Sequence, residues 1–180
     1  MNRIKLLPLI FVAIYQIYFN MNSFGQNCSC ISGGKNKSKG TETLGGVTNS
    51  KDFFSLLIQK EMSYSNDSTI PRYFITINAA SRVLFTDSIL KTRGKIELKL
   101  LNDSVTYIEN VTYLNNPMGY CCSLGFQAEV KENLIKTLSQ NPIVNLTAKD
   151  ILSTTFLPKR QKEQQTICKC LLIRQSTKDK

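Results

Sequence analysis

The side chains with the greatest chemical reach are six cysteines in three close pairs: Cys28 and Cys30, Cys121 and Cys122, Cys168 and Cys170. Reduced, these thiolates are soft ligands that suit Cu(I), Zn or a related thiophile. Oxidised, they are disulfides, which an even count in an exported chain favours, with the pairing left open. If extended, Cys28-Ser29-Cys30 and Cys168-Lys169-Cys170 each put two sulfurs on one face, whereas adjacent Cys121 and Cys122 point to opposite faces. The simplest arrangement ties both chain ends to the middle of the fold. The chain contains no Cys-x-x-Cys and no zinc-finger regularity, so neither a thioredoxin-like nor a finger-like role is expected.

Histidine is absent, which excludes a self-contained Ser-His-Asp or Cys-His catalyst and the His-ligated zinc hydrolases. The acids Asp52, Glu61, Asp87, Glu97, Asp103, Glu109, Glu129 and Glu132 show no spacing that demands a shared site. No catalytic residue is therefore named and no cofactor is expected. A hydrolase with a carboxylate or Ser/Tyr-based site stands as an alternative, as does a thiolate metal protein using all six cysteines. Gly33-Gly34-Lys35 and Lys39-Gly40-Thr41 lack the full spacing of a phosphate loop.

The formal charge is +10, and it stays strongly positive once Arg3 and Lys5 leave with a leader. Lys35, Lys37 and Lys39 lie near one end, and Lys159, Arg160, Lys162, Lys169 and Arg174 near the other. If the cysteines draw the ends together, these residues merge into one anion-binding patch. Its expected partner is an anionic glycan, a lipid surface or an envelope protein. Nucleic acid is disfavoured, because no recognition helix or aromatic-basic motif is present. Surplus lysine also serves plain solubility.

The elements that would position these groups follow from pattern. Arg3 and Lys5 precede the apolar run Leu6 to Phe19, and Ser23-Phe24-Gly25 follows, predicting a signal peptide over residues 1–25 cut before Gln26. The run is short for a membrane span, so the mature chain is expected in the periplasm or outside the cell, with no transmembrane segment. Residues 26–49, rich in Gly, Ser, Asn and Lys, read as a flexible arm. Residues 50–174 read as one α+β domain, and 175–180 as a disordered tail.

Within that domain, Phe53, Phe54, Leu57, Ile58 and Met62 fit a helical stripe after a cap at Asn49 or Ser50. Tyr73 to Ile77 alternates as a strand, which Arg82 to Phe85 resumes. Lys95 to Tyr113 is the clearest hairpin, turning at Leu101 to Ser104. Tyr120 to Phe126 reads as a strand, Val130 to Leu138 as a helix stopped by Asn141-Pro142, and Ile143 to Leu146 as a further strand. Thr147 caps a helix running to Leu157, and Thr166 to Arg174 suits a last strand. The fold expected is α+β: an antiparallel sheet of about four to six strands, two or three helices packed on one side, and disulfide staples.

Three stretches carry a resemblance: Lys95 to Asp103, Ala128 to Leu138, and Asn141-Pro142-Ile143. Together they resemble a pattern of uncharacterised small secreted proteins of Bacteroidetes-type bacteria, in which a hairpin precedes a helix that ends near a Pro-Ile pair. The resemblance covers about the middle third of the chain. It implies export and a small α+β module, and it carries no catalytic residues to transfer. The expected function is that of an exported noncatalytic domain binding an anionic envelope or extracellular partner.

Overall fold

The computed structural model describes residues 28–50, 54–63, 70–81, 94–116, 122–148 and 152–174. The predicted leader, the strand resumption at Arg82 to Phe85, Cys121 and the tail 175–180 lie outside the described residues. Along the chain run β1 (Ser32–Asn36), β2 (Thr41–Asn49), β3 (Phe54–Ser63), β4 (Arg72–Ser81), β5 (Gly94–Leu100), β6 (Val105–Asn116) and β7 (Cys122–Val130). Then follow α1 (Glu132–Gln140), β8 (Ile143–Ala148), β9 (Leu152–Thr155) and α2 (Pro158–Ile173). The strands form one sheet in the order β1-β2-β3-β4-β7-β6-β5-β8-β9, with every pairing antiparallel. The expectation of four to six strands is thus corrected to nine among the described residues, while the mixed α+β class and the antiparallel pairing stand.

The extra strands come from segments whose composition disguised them. In β3, Phe54, Leu56, Ile58, Lys60 and Met62 are buried, and the residues between them are half-buried. That is the period of a strand. Leu57 on the outer face and a lysine on the inner one made the same residues mimic a helical stripe. The stretch read as a flexible arm holds β1 and β2, with Leu44 and Thr48 buried. Its Gly46 permits a close approach, because a Cβ there would sit 2.7 Å from Ile167 Cγ1 and 2.8 Å from the Cys30 carbonyl oxygen. Leu152–Thr155, expected as helix, is β9, in keeping with its two threonines.

The opposite error occurs at the C-terminus, where the last expected strand is the second half of α2. Pro158 starts that helix at a position where its missing N–H costs nothing. Gln161 and Gln164, which made the segment look solvated, are both buried. Gln161 Nε2 donates to the Phe156 carbonyl at 2.7 Å, and Gln164 Oε1 accepts from the Ile143 amide at 2.9 Å. Polar side chains thus join the helix to β8 and to the segment after β9.

The hairpin β5–β6 falls where the sequence placed it, and α1 starts two residues later than expected, with Val130 ending β7 in place of opening the helix. Strand β6 pairs with β5 through Val111 and with β7 from Thr112 onward, so it bridges the two halves of the sheet. An extra residue on β6 shifts the register, and Asn110 takes φ of 57°. Burial moves with it from Ile108 to Val111 in place of the next alternate residue. The helices pack against each other and over the sheet, closing a core that includes Leu56, Ile58, Ile75, Leu98, Ile135, Leu138, Phe156 and Ile167.

Candidate functional site

The described basic residues of the expected patch lie along α2 and the β1–β2 side of the sheet, positioned by the anchors of α2. Thr48 Oγ1 lies 3.1 Å from a Glu163 carboxylate oxygen, and Gly46 lies beneath Ile167. At the far end, Lys60 Nζ donates to the Leu171 carbonyl at 2.9 Å and the Arg174 carbonyl at 2.8 Å. Lys60 pairs with Leu44, and the chain turns at Lys37–Gly40, just ahead of β2 on the Leu44 side. The helix therefore runs along β2 toward the β1–β2 turn. Lys37, Lys39, Lys169 and Arg174 share that end, with exposed Lys35 on β1 beside them, while Lys159, Arg160 and Lys162 sit at the opposite end of the helix. The expected single patch is an elongated track.

The track has order along the helix. Lys159, Lys162, Thr166, Lys169 and Ile173 follow one another at spacings of three and four, which places them on one face. That face is opposite Gln164, Ile167, Cys168 and Leu171, which are buried. The row is about 21 Å long at the helical rise. Its three lysines are exposed, and among the described residues none makes a salt bridge. Arg160 instead grips Glu163 at 2.7 and 2.8 Å, and that hydrogen bond is the largest cause holding the Glu163 carboxyl below its ordinary range.

Cys28 and Cys170 form a disulfide with Cα atoms 5.7 Å apart, closing a sequence separation of 142 residues. The expectation that each end is tied to the middle is corrected for this pair, since the bond joins the two ends directly. It also removes two sulfurs from any six-thiolate metal set, and among the described residues no group of three or more Cys, Asp or Glu could hold a metal ion. Cys168 is a free thiol, fully buried, and desolvation pushes it up to about 12. Such a thiol is inert at neutral pH. Cys30 is free and exposed, at the edge of an open cleft of about 550 Å³ lined by Gly33, Gly34, Gly45, Gly46 and Leu57. Cys121 and the Cys122 side chain lie outside the described residues.

Sequence reasoning missed Lys60, Tyr73 and Glu132. Lys60 is 5 % exposed and Tyr73 3 % exposed, with the ammonium 5.7 Å from the ring centre. The Tyr73 hydroxyl bonds to the Glu132 carboxylate at the start of α1. Burial, then the Glu132 charge, pushes the phenol up to about 12, and burial lowers Lys60 against the pull of Glu132. The Lys60 ammonium on two carbonyls and the Tyr73 phenol on Glu132 tie the sheet to both helices. The signal for Lys60 was a lysine at an inward step of an alternating run, legible only once that run is known to be a strand.

Compared with known proteins, the chain matches no family model, no curated protein and no solved structure. Among the described residues no helix is long and apolar enough to cross a membrane.

Proposed function

We propose that the protein is an exported, noncatalytic domain that engages an anionic partner through the outward face of α2. The observation that carries this reading is the row Lys159, Lys162 and Lys169, exposed, on one face, and not neutralised by a salt bridge among the described residues. A row of ammonium groups on flexible stems supplies charge without fixed geometry. The disulfide between Cys28 and Cys170 supports export, because such bonds persist in oxidising compartments. Cleavage before Gln26 would leave Cys28 near the new N-terminus and still able to reach Cys170.

The test is retention on an immobilised sulfated polysaccharide over a salt gradient, with wild type and a Lys159→Glu/Lys162→Glu/Lys169→Glu variant. Retention at low salt, weakening as the Debye length shrinks and largely lost in the variant, is the expected outcome. Retention indifferent to both salt and substitution would refute it. Intact mass of the protein from its native compartment checks the export half, with a product beginning at Gln26 expected.

A further inference from the structure

We infer that the anionic partner is a lipid bilayer surface, on which α2 lies flat with its lysine row toward the phosphates. The inference rests on the anion-binding reading above and adds the partner's class. Two features of the helix face distinguish a bilayer from a soluble polyanion. The first is its shape: the row stands on the outward face of a helix, and the clefts found among the described residues are lined by other side chains, whereas a soluble ligand is usually held in a concave site by fixed polar groups. A laterally mobile array of headgroups needs no such cradle.

The second feature is apolar. Ile173 is 53 % exposed and closes the lysine row at its C-terminal end. Against a soluble polyanion this side chain has nothing to contact. At a bilayer it enters the boundary between headgroups and acyl chains while the lysine stems lie along it and their ammonium groups reach the phosphates. Glu163 is bound to Arg160 and Thr48, and of the groups that hold its carboxyl down Lys159 contributes least, so most of the row's charge is left to a partner. Lys169 and Arg174 extend the charge toward the β1–β2 turn, where Lys37 and Lys39 add to it.

The experiment is co-sedimentation of the full chain, as it exists after any processing, with vesicles of phosphatidylcholine alone or with about one third phosphatidylglycerol. Binding to the anionic vesicles and not to the neutral ones is expected. Each of Lys159→Ala, Lys162→Ala and Lys169→Ala should weaken it about fivefold. Ile173→Ser should weaken vesicle binding while leaving retention on the sulfated polysaccharide unchanged. Ile173 is exposed, so unfolding curves should coincide, and the wild-type vesicle comparison decides the matter even if a variant fails to fold. Retention on the polysaccharide without vesicle binding would overturn the lipid inference and leave the anion reading standing. Binding to neither would overturn both. Vesicle binding indifferent to Ile173→Ser would overturn the inserted orientation.

Discussion

Lys60 shows what one buried charge does in this fold. The last carbonyls of a helix have no partner within it, and the helix dipole places negative potential there. The Lys60 ammonium meets one of those carbonyls, that of Leu171, together with the carbonyl of the cap residue Arg174, which offsets part of the desolvation that lowers its pKa. Lys60→Met keeps the stem and removes the donor, so a loss of about 2–3 kcal/mol is expected, read from the urea midpoint. Cys168 gives a pH signature. Its folded pKa is raised to about 12 from 9.0, so the unfolded chain loses this proton first. The stability it contributes is whole below pH 9.0 and is lost as pH rises toward about 12. Tyr73, raised from 10.0 to about 12, acts in the same direction. Lys60, lowered from 10.5, acts in the opposite one. The difference in slope between wild type and Cys168→Ala isolates the thiol, and the variant should be the flatter over that window. In the native state an alkylating reagent should label Cys30, with Cys168 reacting only on unfolding.

At the scale of elements, one close approach and one bulge decide how the sheet is covered and shaped. Gly46→Val would put side-chain atoms where Ile167 and the Cys30 carbonyl already lie, forcing α2 away from β2. A loss of about 1–3 kcal/mol is expected, with a lower melting temperature as the measurement. Asn110 is the bulged residue at which β6 passes from β5 to β7, and its positive φ is tolerated by Asn and Gly but strained for a branched side chain. Asn110→Gly should be nearly neutral in stability and Asn110→Val destabilising by about 1–2 kcal/mol. The hairpin β5–β6 was legible because Ile96, Leu98 and Leu100 alternate around a polar turn. Helix α1 was legible because Ile135 and Leu138 share a face, with the Glu132–Lys136 pair at 2.7 Å outside it. Both are local patterns. Strand β3 and helix α2 were not legible, because their inner faces carry Lys60, Gln161 and Gln164, whose partners lie on other elements.

Across the whole molecule, the Cys28–Cys170 bond and the distribution of charge act together. Residues 28–31 lie over β2 beside α2, and the bond fixes both chain ends to the same region. Reduction should cost about 2–5 kcal/mol, since the closed loop is long, and should be seen as a lower denaturation midpoint in reductant. The outer face of the sheet carries charges of both signs, Arg72 bridging Glu61 and Glu129 and Lys99 meeting Asp103. The helix layer carries mostly positive ones, and its acids Glu132 and Glu163 are both in ion pairs. Net charge, the lack of histidine, the paired cysteines, the central hairpin and α1 were determined by the sequence alone, since each is a matter of composition or of neighbours within a few residues. Nine strands among the described residues in place of a smaller sheet, the pairing of Cys28 with Cys170, the alignment of the lysines into one exposed row and the burial of Lys60 were decided only by tertiary structure. The physical reason is that each depends on which face a residue presents and what packs against it, and period-two and helical patterns overlap wherever a polar residue occupies an inward position.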